Sequence, residues 1–235
     1  MGKGWKNPAM AANAAKKGAK FTKLAREIQV AAKLGGPDPN ANSRLRMAID
    51  AAREESCPKD TIERAIKKGA GLLDDGSHIE EITYEGYGPH QVAIIVECQS
   101  DNRNRTSSEI RNIFNKKGGR LGEMGSVMWM FDRVSLIDGT HPSIKDPEED
   151  AIESGANEVE KVNDTTYRFI GNPEELKTIE DALIGRGWKI SAAELSYKAK
   201  NHADITEDQK KDVYEFVHQL DDNDDTSRIH ATIDL

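Results

Sequence analysis

The chain is poor in the residues that would announce a chemistry. Of 235 residues only two are cysteine, Cys57 and Cys98, far apart and in different predicted elements. That excludes a disulfide framework, and with six scattered histidines it gives no zinc spacing, so a reducing compartment is the expectation. No stretch approaches the roughly 18 apolar residues of a membrane span. The first residues hold lysine and alanine without an apolar core, so no secretory leader is expected. Nucleotide cradles are missing too. There is no G-x-x-x-x-G-K-[ST], and Gly86-x-Gly88 lacks the third glycine of a dinucleotide fingerprint. No G-x-S-x-G elbow frames a serine. The acidic run 221–225 has neither the spacing nor the closing glutamate of a calcium loop. Cys98 ends an apolar strand and reads as a core thiol. The expectation is therefore a non-enzymatic protein without catalytic residues, metal, cofactor or small-molecule substrate, cytoplasmic and monomeric.

What is present is charge, unevenly placed. Hydrophobic residues make up 37% and charged residues 31%, within the range of a globular chain. The net charge of −8 hides a polarity. Residues 1–53 carry 11 Lys/Arg against 3 Asp/Glu, a balance of +8, and residues 201–235 carry 3 against 10, a balance of −7. Opposite ends of this kind suggest a polyanion contact on the basic side. The alternative is a helical domain that merely exposes lysines.

The stretch 84–131 organises the rest. A Gly/Tyr turn, Tyr84–Pro89, precedes the apolar run Val92–Val96, which has the length and β-branching of a buried strand. The segment DNRNRT at 101–106 reads as a polar loop, and Thr106 with Glu109 as a capping box opening a helix with Ile110, Ile113 and Phe114 inside. A glycine-rich turn, 118–125, leads to an expected strand at 127–131. Its backbone amides offer a second reading as a phosphate cup.

Ahead of this unit, residues 1–19 read as a mobile or loosely helical basic arm. Phe21, Leu24, Ala25, Ile28, Ala31 and Ala32 then recur at helical spacing. Further helices are expected from Ser43 to about Glu55 and from an Asp60/Glu63 cap to Gly69, and the acidic tract at 74–76 reads as a linker. Behind the central unit, 134–200 shows a β-α-β-β-α-β order with caps at Asp146-Pro147 and Asn172-Pro173. A helix capped by Thr206/Gln209 and an alternating strand, 228–234, are expected to return to the central sheet. The expected fold class is α+β in three domains around a cleft. A small three-helix domain (1–75) precedes two ferredoxin-like α/β domains, with the third (134–200) inserted into the second (79–133 plus 201–235).

Candidate nucleic-acid contacts follow the cations. In the arm they are Trp5, Lys6 and Asn7, with the indole available for stacking. In the helices they are Lys16, Lys17, Lys20, Lys23, Arg26, Arg44, Arg46, Arg53, Arg64, Lys67 and Lys68. In the central unit they are Asn102, Arg103, Asn104, Arg105 and Arg120. Pairing of Arg103 and Arg105 with carboxylates of a neighbouring domain is the competing reading.

Several long strings resemble the YebC/PmpR family, which includes the mitochondrial translational activator of cytochrome c oxidase subunit I. They include FTKLAREI at 21–28, AAKLGGPDPNAN at 31–42, PKDTIERAIKKGAG at 58–71, ITYEGYGP at 82–89, DNRNRT, GGRLGEMGSV at 118–127 and LDDNDD at 220–225. The resemblance implies three domains around a cleft and no catalytic residues. Members are catalogued as DNA-binding transcriptional regulators, and others aid translation of proline-rich stretches on the ribosome. The opening segment keeps Trp5 and Asn7 but lacks the two histidines and the later basic pair typical of members. On both grounds the expectation is a ribosome- or rRNA-associated regulator, with a DNA-binding transcriptional regulator and a protein-binding adaptor as alternatives.

Overall fold

The computed structural model describes residues 8–73, 76, 78–143 and 146–234; two of the three linker positions, 74 and 75, lie outside the described residues. Helix α1 runs from Pro8 to Gly35, α2 from Ser43 to Glu54 and α3 from Lys59 to Gly69. Of the two readings of the arm, mobile or loosely helical, the helical one holds from Pro8 onward. A proline at the first helical position and an alanine-rich run favour helix without needing a core. Alanine faces let the three helices approach closely, and Ile28, Ala31 and Ala32 pack with Leu45, Ala48, Ile49, Ala52, Ile62 and Ala65. The Asn42 side chain caps α2. Helix α3 starts directly after Pro58, one residue ahead of the expected Asp60 cap.

The central sheet joins β1 (Glu80–Tyr87), β2 (Ala93–Ser100), β3 (Arg120–Leu121) and β8 (Thr226–Ala231) in the order β3-β1-β2-β8. Helices α4 (Arg103–Lys116) and α7 (Glu207–Asp221) cover one face. There Ile94, Val96 and Cys98 meet Ile110, Phe114, Val213, Phe216 and Leu220. Phe114 and Phe216 stack edge to face at 5.0 Å. The opposite face, Ala93 and Ile95, packs on Val127, Phe131 and the half-buried Tyr197 and Ala199. Burial on both sides explains why β2 is a continuous apolar run rather than an alternating one. The Thr206/Gln209 capping box opens α7 as expected.

The third domain is inserted between β3 and α7. Its strands are β4 (Phe131–Thr140), β5 (Glu158–Lys161), β6 (Thr166–Gly171) and β7 (Lys189–Ala199), ordered β5-β6-β4-β7 and antiparallel throughout. With α5 (Pro147–Ser154) and α6 (Leu176–Gly185) this is the ferredoxin-like arrangement.

Two local expectations are corrected. Residues 128–130 form a 3₁₀ turn, not a strand, and Phe131 begins β4 of the inserted domain. The central sheet takes Arg120–Leu121 as its third strand instead. The cause is Glu85, whose carboxylate gathers the amides of Val127 and Met128 away from any ladder. Helix α4 also begins four residues early, because Asn102, not Thr106, caps it by accepting from the Arg105 amide. Thr106 is then buried in the first turns instead of capping them.

Candidate nucleic-acid interface

Trp5, Lys6 and Asn7 lie outside the described residues, as does the side chain of Lys16. The other basic candidates divide sharply. On α1 the apolar stripe faces α2 and α3, which turns Lys20, Lys23 and Arg26 away from the helical core. Those cations meet carboxylates or carbonyls of the same chain. Lys20 pairs with Glu55 at 2.8 Å. Lys23 reaches the Asp221 carbonyl and, at 3.5 Å, its carboxylate. Arg26 pairs with Asp225 at 2.8 Å and donates to the Asp224 carbonyl. The basic front and the acidic tail are thus docked against one another.

Asp225 is the centre of that docking. Its side chain is 1% exposed and also accepts from Ser100 Oγ at 3.1 Å, Arg105 Nη2 at 2.9 Å and the Thr106 hydroxyl. Burial pushes this carboxyl up, but the Thr106 hydroxyl, Arg105, Arg26 and Ser100 together hold it below its ordinary value. Arg105 pairs with Asp101 as well, at 3.0 Å. Of the DNRNRT segment, Asn102 caps the helix, Arg105 is held by two aspartates, and Arg103 and Asn104 are exposed.

Helix α2 is similarly engaged. Arg44 bridges Glu27 at 2.8 Å and Glu81 at 2.9 Å, Arg46 lies 3.7 Å from the buried Glu180, and Arg53 pairs locally with Asp50. Glu27 also accepts from Gln99 Nε2 at 2.7 Å, tying α1 to β2. Burial pushes Glu27 up, yet Arg44, Arg228 and Gln99 hold it below its ordinary value. Arg44, Glu97, Arg133, Glu180, Glu194 and Arg228 line a cleft of about 360 Å³ where the three domains meet. Burial pushes Glu194 up there despite its pairing with Arg228.

Of the remaining candidates, Lys17, Arg64, Lys67, Arg103 and Arg120 face outward. Lys17 sits 5.3 Å from the Phe21 ring centre. Arg64 and Lys67 are exposed on the last turns of α3, and Arg103 and Arg120 are exposed on the central domain. Among the described residues no ion pair engages Arg64, Lys67, Arg103 or Arg120. Arg64 and Lys68 line a groove of about 320 Å³ between α1, α3 and Asp101, with Phe21 and Gln29 in its wall.

The phosphate-cup reading of the glycine-rich turn is answered by Glu85. This side chain, 3% exposed, accepts from the amides of Gly125 at 2.7 Å, Val127 at 2.9 Å and Met128 at 2.8 Å. The amides already hold an anion, and it is the protein's own. Glu85 was not singled out by sequence reasoning, because nothing local sets it apart from Glu80 and Glu81 of the same strand except the neighbouring Gly86; its burial is decided by the distant amides it meets. Cys98 is pushed by burial up to about 12, which leaves it protonated and unsuited to nucleophilic chemistry. No group of three metal-ligating side chains occurs among the described residues, and none of their helices is long and apolar enough to cross a membrane.

Comparison with known proteins places this geometry in context. Residues 5–72 match the family described as TACO1/YebC protein N-terminal domain, and 79–233 match TACO1/YebC second and third domain. A "Probable transcriptional regulatory protein Bd1964" of Bdellovibrio bacteriovorus is 60% identical over 233 residues, covering 99% of this chain and 100% of that one. A "Probable transcriptional regulatory protein" of Dictyoglomus turgidum is 43% identical over 96% of this chain and 91% of its own length. Among solved structures, the conserved hypothetical protein Aq1575 from Aquifex aeolicus superposes with a TM-score of 0.82 at 40% identity, covering 94% of this chain and 91% of that one.

Proposed function

The chain belongs to the TACO1/YebC family, and from that premise we propose that it is a non-enzymatic, nucleic-acid-binding regulator of gene expression whose target is structured ribosomal RNA. The observation that carries this reading is a set of exposed cations that no ion pair engages among the described residues, Arg64 and Lys67 on α3 with Arg103 and Arg120 on the central domain. Each phosphate they neutralise adds salt-dependent affinity.

Duplex recognition would ask for a helix with base-reading side chains free to enter a groove. The polar faces of α1 and α2 are partly occupied by other parts of the chain, and α3 exposes Lys59, Asp60, Glu63, Arg64 and Lys67 with no Asn or Gln among them. That composition favours contact with phosphates and shape, as for structured RNA. On the family resemblance, the function extends to aiding ribosomes through proline-rich stretches, in the cytoplasm and as a monomer. The second reading, a DNA-binding transcriptional regulator, is favoured by the names its relatives carry.

Co-sedimentation with ribosomes across a salt series separates the two. The RNA reading expects association that weakens steadily as salt rises, and only weak, sequence-indifferent binding to duplex DNA. Tight binding to one duplex sequence without ribosome association would reverse the assignment.

A further inference from the structure

The loop 122–130 is built to hold large apolar side chains in water. Met124 is 89% exposed and Trp129 66% exposed. Exposed apolar groups of this size usually sit on flexible ends, yet this loop is fixed. The buried Glu85 carboxylate draws three of its amides inward. Gly125 takes φ +84°, and a Cβ at Gly122 would lie 2.3 Å from Ser126 Oγ, so the turn admits little else. The Trp129 indole N–H donates to the Ser126 carbonyl at 3.2 Å, so its polar atom is satisfied within the loop and the ring itself is what solvent meets.

We propose that this loop is a stacking platform for an unpaired nucleobase of a bound RNA, with the Trp129 ring as the stacking face and Met124 as a second apolar contact. The inference rests on the RNA-binding reading above and gives that reading a base-contacting element. Size selects the occupant. One base covers one ring, whereas a stable protein partner needs about 800 Å² from each side, more than two side chains on a nine-residue loop supply. Charge agrees, because Arg120 is exposed on β3, at the loop's entry, with no ion pair among the described residues. Stacking on an aromatic tolerates any base, which suits a contact that otherwise reads phosphates and shape.

The test measures affinity of the full-length chain for a twelve-nucleotide oligouridine, an abasic oligomer of the same length, and inorganic polyphosphate. Trp129→Ala should weaken oligouridine binding by about tenfold and leave the two base-free ligands unchanged. Met124→Ala, at a still more exposed position, should give a smaller loss with the same selectivity. Trp129→Phe should restore most of the affinity. Equal losses for base-bearing and base-free ligands, or RNA binding that neither alanine variant alters, would overturn this inference while leaving RNA binding by the protein intact. Contact of the loop with a protein, shown by crosslinking, alongside unaltered RNA affinity has the same consequence. A wild-type chain that binds none of the three ligands overturns this inference, and the function it rests on falls with it only if the chain also fails to co-sediment with ribosomes.

Discussion

The cations of α1 and those of α3 look alike in sequence and have opposite fates. Lys20, Lys23 and Arg26 lie along one helix, Arg64 and Lys67 along another, and both sets sit opposite an apolar stripe. On α1 every one of the three is engaged by the chain itself, and Arg26 has only 15% of its side chain exposed. On α3 the cations meet solvent. The difference lies in what the tail does. The end of α7 and the turn after it bring Asp221, Asp224 and Asp225 back against α1, so part of the polarity of charge between the ends is used in docking Lys23 and Arg26. Counting cations in a sequence therefore overstates the surface available to a partner.

Removing the centre of the α1 docking should have the largest effect. Asp225→Ala leaves Arg26 and Arg105 without their buried partner and takes from Thr106 and Ser100 the carboxylate they donate to; a loss of about 3 kcal/mol in urea unfolding is expected. Glu85→Gln keeps the shape but removes the charge and turns one of the two accepting oxygens into a donor, and should cost about 2 kcal/mol in the same measurement. It should also raise amide exchange in 122–130 before exchange in β1.

Acid should then act on the docked side selectively. Asp225 and Glu27 have folded values below their ordinary ones, so the stability they contribute is present above the unfolded values and is lost as pH falls through the folded ones. The urea midpoint should fall below about pH 4.5, and Asp225→Asn should flatten that fall. Glu194, pushed up by burial, works the other way, since the stability linked to its protonated form is lost as pH rises through its folded value. Glu194→Gln should therefore remove a small decline on the rising side. The smallest change belongs to Lys20→Gln. Its pair with Glu55 is about half exposed at both ends, so thermal midpoints should move by no more than the equivalent of about 0.5 kcal/mol.

Much of the fold was legible because local signals and burial agreed. The apolar run at 92–96 marks a strand covered on both faces, and the Asp146-Pro147 and Thr206/Gln209 caps mark helix starts that the structure keeps. Failures came where a distant side chain decided the local form. Thr106 with Glu109 satisfies the capping pattern, but Asn102 caps α4 and the Thr106 hydroxyl is drawn to Asp225, 119 positions away. Val127–Phe131 has strand composition, but Glu85 claims its amides. The candidate interface was legible only as a set of cations. Which of them had partners depended on a tail that periodicity places in the central sheet without fixing which residues its aspartates meet.

The central claim is that outward-facing cations bind polyanion while docked ones hold the molecule together. It is tested most directly by the salt dependence of RNA binding in two double variants, Arg64→Glu/Lys67→Glu and Lys20→Gln/Lys23→Gln. The account predicts a slope of log affinity against log salt shallower by about 1.5 for the first pair, with an unchanged thermal midpoint, and an unaltered slope for the second. A slope that falls for the α1 pair and holds for the α3 pair would contradict it.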